Sequence, residues 1–147
     1  MHPWDGNSWH MPDQSHIGRR YSAPGQRILP EAAARVATAI AGPDPVAEPE
    51  AIPPTFAAVY CLAPTFAQLF ADDEVGIDLA GLIHAEQSFE WPEPVRPGDV
   101  VDATAEITSV DTRRGMTFVR LAMEATRPVD QAVVCRATSL MIVRAPA

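Results

Sequence analysis

One long apolar segment followed by alternating strands constrains this chain more than anything else in it. The segment opens at Ile52-Pro53-Pro54-Thr55-Phe56 and runs to Phe70, where Asp72-Asp73-Glu74 stops it. Phe56, Val59, Tyr60, Phe66, Leu69 and Phe70 recur at helical spacing, so one face of the segment needs covering. The Pro53-Pro54 pair fixes where it begins, with Thr55 as a candidate cap, and Pro64 should kink or divide the helix rather than abolish it. After Gly76 the pattern changes to strands over 79–91, 100–110, 116–126 and 133–143. Alternation is clearest at 101–107 and 118–124, and turn residues fall at 92–98, 111–115 and 127–131. The last three strands therefore read as an antiparallel meander. Helix first and strands after imply an α+β domain whose sheet covers the longer helix.

The chain before this segment is less regular. Residues 1–16 mix Trp4, Trp9, three histidines, prolines and glycine without a period, which reads as a flexible arm. His2, His10 and His16 fit no compact ligand spacing, and Trp4 and Trp9 are candidates for docking on a partner. Residues 17–147 form the domain. Its first stretch, 17–28, is a short turn and an extended piece. Pro30 and Glu31 then open a helix of good formers through Ala41, with Val36 and Ile40 on one face, and Gly42-Pro43-Asp44-Pro45 ends it.

Composition excludes several classes. A length of 147 residues suits one domain with one modest core, and a net charge of −8 argues against a surface for nucleic acid. Cys61 and Cys135 have neither metal nor redox spacing and read as buried, reduced thiols of a cytoplasmic protein. No signal segment opens the chain, and Pro64 with the acidic stop denies the apolar run a membrane span.

Four pieces carry a family resemblance: Ile17-Gly18-Arg19-Arg20-Tyr21, Pro53-Pro54-Thr55-Phe56, His84-Ala85-Glu86-Gln87-Ser88-Phe89-Glu90 and Pro94-Val95-Arg96-Pro97-Gly98-Asp99. Their order and spacing resemble the MaoC-like hot-dog dehydratases, and more narrowly the acyl-binding subunits of heterodimeric (3R)-hydroxyacyl-ACP dehydratases. The resemblance spans residues 17–144. It implies a single hot-dog domain, a long central helix wrapped by an antiparallel sheet, and reversible dehydration of a (3R)-hydroxyacyl thioester carried on acyl carrier protein or coenzyme A. It implies no cofactor and no metal.

Active members of that family carry an aspartate and a histidine between the two helices, in a pattern like Gly-Asp-x-Asn-Pro-Leu-His. Syn elimination of water needs a base near the C2 proton, an acid near the hydroxyl and a donor to the thioester carbonyl. Here Pro43 follows Gly42, the connection to Pro53 is shorter than in active relatives, and no histidine occurs between His16 and His84. The resemblance thus implies no complete catalytic dyad in this chain. Asp44 and His84 are the residual candidates, although Asp44 between prolines reads first as a turn former and His84 first as a satisfied sheet or interface histidine.

Phe56, Tyr60, Phe66 and Phe70 are the candidate acyl-binding residues, and the same four serve as simple core packing, since both walls have one composition. Glu86 and Glu90 alternate with Ser88 and belong on a solvated or partner-facing side. The expected partner is a second hot-dog subunit that brings the catalytic Asp and His, pairing edge to edge with this one. The acidic charge places the basic patch for an acidic carrier on that partner. Two rival readings stand: a self-sufficient homodimeric hydratase or thioesterase using Asp44 or His84, and a non-catalytic acyl-binding module.

Overall fold

The computed structural model describes residues 10–42 and 52–144. Strand β1 (Arg20–Arg27) comes first, then helix α1 (Pro30–Ala41). A central helical segment follows, made of a 3-10 turn (Pro54–Phe56), a π turn (Ala58–Leu62) and helix α2 (Ala63–Phe70). Strands β2 (Leu82–Glu90), β3 (Val100–Arg113), β4 (Met116–Arg127) and β5 (Ala132–Arg144) complete the chain. The five strands form one sheet in the order β1-β3-β4-β5-β2, antiparallel at every pairing. Strands β3, β4 and β5 are the expected meander, and β1 and β2 become the two edges.

Alternation along the strands sends one set of side chains to the central helix. Ala105, Met123 and Ala137 lie in register across β3, β4 and β5 and are all buried, as are Ile107, Leu121 and Ser139 one row on. Ile107 and Val110 are three residues apart yet both buried, because the register shifts between Ile107 and Ser109 and restores the inward phase. Phe56, Ala57, Tyr60, Cys61, Leu62, Thr65 and Leu69 meet this face from the helix. The core therefore lies between the central helical segment and the sheet, and α1 joins it through Ala33.

Several expectations change. Leu79–Gly81 is a 3-10 turn held by the Asp78 side chain, so β2 starts at Leu82 and not at residue 79. Thr55 makes no cap, since it sits inside the 3-10 turn. The last residues of the expected arm are ordered: Asp13 and His16 cap each other's backbone in a reciprocal box around Gln14–His16, Pro12 is buried and Met11 packs on the core. Gly76, at φ +66°, lies so close to this stretch that a Cβ would sit 2.5 Å from the His10 carbonyl oxygen. His16 is thus a capping residue. Trp4 and Trp9 lie outside the described residues.

Candidate functional site

Pro64 shapes the centre of the molecule. Proline cannot donate to the turn before it, and its ring pushes on the carbonyl four residues back. The chain answers with a widened turn over Ala58–Leu62, in which the Ala63 N–H reaches back to the Ala58 carbonyl. The buried Thr65 hydroxyl donates to the carbonyls of Cys61 at 2.9 Å and Leu62 at 3.0 Å, the back-bond by which a threonine inside a helix buries its hydroxyl. The widened turn also rotates Val59 outward to 47 % exposure, against its expected place on the buried side.

The four aromatic candidates divide into two pairs. Phe56 and Tyr60 are buried against the sheet with ring centroids 6.3 Å apart. Burial, the larger cause, raises the Tyr60 phenol well above its ordinary range, so it stays protonated at any physiological pH. Phe66 and Phe70, 5.7 Å apart, are half-buried at the rim of the core. Phe66 meets the His84 ring edge-on at 5.7 Å. The inner pair is core wall, and the rim pair opens toward the β2 edge.

At that edge a polar chain runs across the strands. His84 Nε2 lies 3.0 Å from Gln87 Oε1, and the buried Ser139 hydroxyl donates to the same oxygen. The register shifts between His84 and Glu86, leaving Ala85 without a partner, which places His84 and Gln87 on one side although they are three residues apart. Sequence reasoning singled out His84 but missed Gln87 and Ser139. Ser139 is 52 residues from Gln87, so only strand pairing brings them together. Among the described residues no carboxylate bonds to His84, and the ring is exposed. A general acid–base pair needs an orienting partner of that kind. Glu86 and Glu90 are exposed as expected, with Glu86 3.4 Å from Arg120. Asp44 lies outside the described residues.

Other groups are structural. Cys61 and Cys135 meet in the core as free thiols, and their mutual contact followed by burial pushes the Cys61 thiol far above its usual range. Neither is a nucleophile there. Asp72 accepts from Arg19 Nε, from Arg19 Nη2 at 2.9 Å and from the Tyr21 hydroxyl at 2.8 Å, tying β1 to the end of α2. Burial alone would raise the Asp72 carboxyl, but these donors outweigh it and hold it below the usual carboxylate range. A concavity of about 580 Å³ lies on the outer sheet face, lined by Arg20, Thr104, Glu106, Glu124, Arg136 and Thr138 among others. Four of its charged residues are already paired, Arg20 with Glu106 at 2.7 Å and Arg136 with Glu124 at 3.2 Å, and Glu90 forms no ion pair among the described residues.

Comparison with known proteins agrees with this architecture. The family model for the FAS1-like dehydratase domain region matches residues 31–136. A UPF0336 protein of Cutibacterium acnes is 38% identical over 112 residues, covering 70% of this chain and 75% of that protein. The truncated HadBC (3R)-hydroxyacyl-ACP dehydratase complex of Mycobacterium tuberculosis superposes with a TM-score of 0.70 at 24% identity, covering 86% of this chain and 96% of that one. The (R)-hydratase of A. caviae involved in PHA biosynthesis gives 0.56 at 22% identity, covering 91% of this chain and all of its own. At those identities the two structures speak for the fold alone. A helix wrapped by a five-stranded antiparallel sheet, together with the family match over most of its length, makes this chain a member of the FAS1-like dehydratase-region family, on the MaoC-like hot-dog fold.

Proposed function

We propose that this chain is the acyl-binding, non-catalytic half of a (3R)-hydroxyacyl-thioester dehydratase, working with a second hot-dog subunit that supplies the aspartate and histidine. The observation that carries the reading is the state of His84. It sits beside Phe66 at the sheet edge, but its partner is the Gln87 amide, which can neither take up charge nor stabilise an imidazolium as a carboxylate does. The sequence supplies no histidine between His16 and His84 to replace it. The HadBC (3R)-hydroxyacyl-ACP dehydratase, a complex with which this chain shares its fold, supports an assembly with a second subunit. In this reading Phe66 and Phe70 line the approach of the acyl chain, Phe56 and Tyr60 back it from the core, and β2 meets the sister subunit.

The test is co-expression with a neighbouring hot-dog gene product, followed by dehydration assays on each subunit and on the pair. Activity confined to the pair, and kept within about twofold by His84→Ala, is the expected result, since losing a true general acid or base costs about 10²–10⁴-fold. Turnover by this chain alone, lost to that extent in His84→Ala, would favour the self-sufficient hydratase instead.

A further inference from the structure

All eleven basic residues of the chain are arginines. Five of them, Arg19, Arg20, Arg120, Arg127 and Arg136, pair with carboxylates. Three of the others converge at one end of the sheet. Arg113 on β3 and Arg144 on β5 both lie opposite Met116 of β4, so the three side chains share the outer face, and Arg114 stands in the turn between β3 and β4. Among the described residues none of Arg113, Arg114 and Arg144 forms an ion pair, although Asp111 is on the same face. Arg113 instead lies 4.2 Å above the Phe118 ring. Gly81 fixes the third member, because a Cβ there would come within 2.8 Å of the Arg144 carbonyl oxygen.

The floor between these arginines is apolar. Phe118, Ile142 and Ile83 are cross-strand neighbours on β4, β5 and β2, and their chain neighbours Thr117, Val119, Met141 and Val143 point inward, so all three face out. Ile83 is 40% exposed. An apolar strip rimmed by unpaired arginines, on a protein of net charge −8, is a local reversal of the whole molecule's field. Arg114 adds a second observation: with Gly115 it forms a two-residue turn at φ +52° and +74°, a position where Asn, Asp or Gly fits with less strain.

We infer that this strip, Arg113, Arg114 and Arg144 around Phe118, Ile142 and Ile83, is the docking surface for an acidic amphipathic helix of an acyl carrier protein. The inference rests on the dehydratase reading and deepens it, naming a protein-borne thioester as the substrate. It also moves the basic patch from the sister subunit to this one. The arginines meet the carboxylates of the carrier helix and the strip takes its apolar side. On the opposite face of the same strand end, one residue from Ile83, His84 touches Phe66, so a docked carrier delivers its prosthetic arm around the turn at Gly81 toward the rim aromatics.

The experiment measures binding of recombinant holo-acyl carrier protein to the full chain by calorimetric titration at low and high salt. The R113E/R114E/R144E variant is compared with R27E/R35E/R96E, which reverses three other arginines that form no ion pair among the described residues. The first variant should weaken binding at least about 10-fold and flatten its salt dependence, while the second stays within about twofold. No binding by the native chain, or equal loss in both variants, overturns the inference. Circular dichroism and R114N, which relieves the turn and removes one charge, guard against misfolding; R114N should keep the fold and still weaken binding. Dehydration of a small acyl-CoA by the two-subunit pair separates the two readings: that activity should survive R113E/R114E/R144E. Its absence from the native pair would remove the dehydratase reading, while the titration still decides docking.

Discussion

The two edges of the sheet are built in opposite ways. The β1 edge is closed off. Pro24 and Gly25 interrupt its register between Ala23 and Gln26, the Gly25 N–H is taken by Asp102 at 2.8 Å, and Arg19, Tyr21 and Asp72 tie the strand to the end of α2. Proline, a bulge and charge are the devices by which proteins keep an edge strand from pairing. The β2 edge has a single bulge, at Ala85, and no proline from Leu82 to Glu90. Ile83 at 40 % and Trp91 at 44 % exposure flank it, with Trp91 stacked on Phe89 at 5.6 Å. One edge is insulated against pairing and the other is left receptive. The contrast favours β2 as the edge for the proposed partner, and in that reading the half-buried rim, Phe66 with His84, lies next to it.

A lysine on each edge breaks the comparison most strongly. Trp91→Lys at the end of β2 should weaken association with the sister subunit by about 30-fold, the ~2 kcal/mol scale of an interface hot spot, whereas Ser22→Lys on β1 should leave it within about twofold. Sedimentation equilibrium of the two-subunit mixture reads both. Equal losses would mean that the edges are not distinguished.

A smaller effect sharpens the account of the helix that carries the rim. Thr65→Val removes the hydroxyl that serves the carbonyls of Cys61 and Leu62 and should cost about 1–2 kcal/mol in denaturant unfolding. A loss below about 0.3 kcal/mol would show that the hydroxyl contributes nothing beyond the packing of its side chain.

The smallest effect concerns the closed edge. The Asp72 carboxyl titrates lower in the folded chain than in the unfolded one, so its contribution is complete above the unfolded value of about 3.9 and is lost as pH falls through the folded value. Asp72→Asn should lower the melting temperature by about 2 °C at pH 7, and the gap between the two proteins should close on acidification below about pH 4. A gap that widens with acid would reverse the sign and contradict the assignment.

Much of the fold was legible because it depends on local patterns. Alternation at 101–107 and 118–124 marks β3 and β4, and the turn residues after each mark the meander. Pro64 announced the disturbance in the central helix, although not its form, since a widened turn and a kink have the same sequence signal. The site was less legible. Ser139 reaches Gln87 across 52 residues, Arg19 reaches Asp72 across 53, and Arg144 joins Arg113 only through the register of Met116. Such contacts are created by strand order, and a linear reading sees one member at a time. Val59 failed for a related reason: ideal helical spacing places it inward, and the π turn does not keep that spacing.

The central claim is that this subunit contributes shape while its companion contributes proton transfer. Titrating the purified chain into a fixed amount of the sister subunit, with dehydration of a 3-hydroxyacyl thioester as the readout, tests it most directly. The account predicts negligible rates for this chain alone and a rise that saturates at one chain per companion. A rate for this chain alone that addition of the companion does not exceed would contradict it.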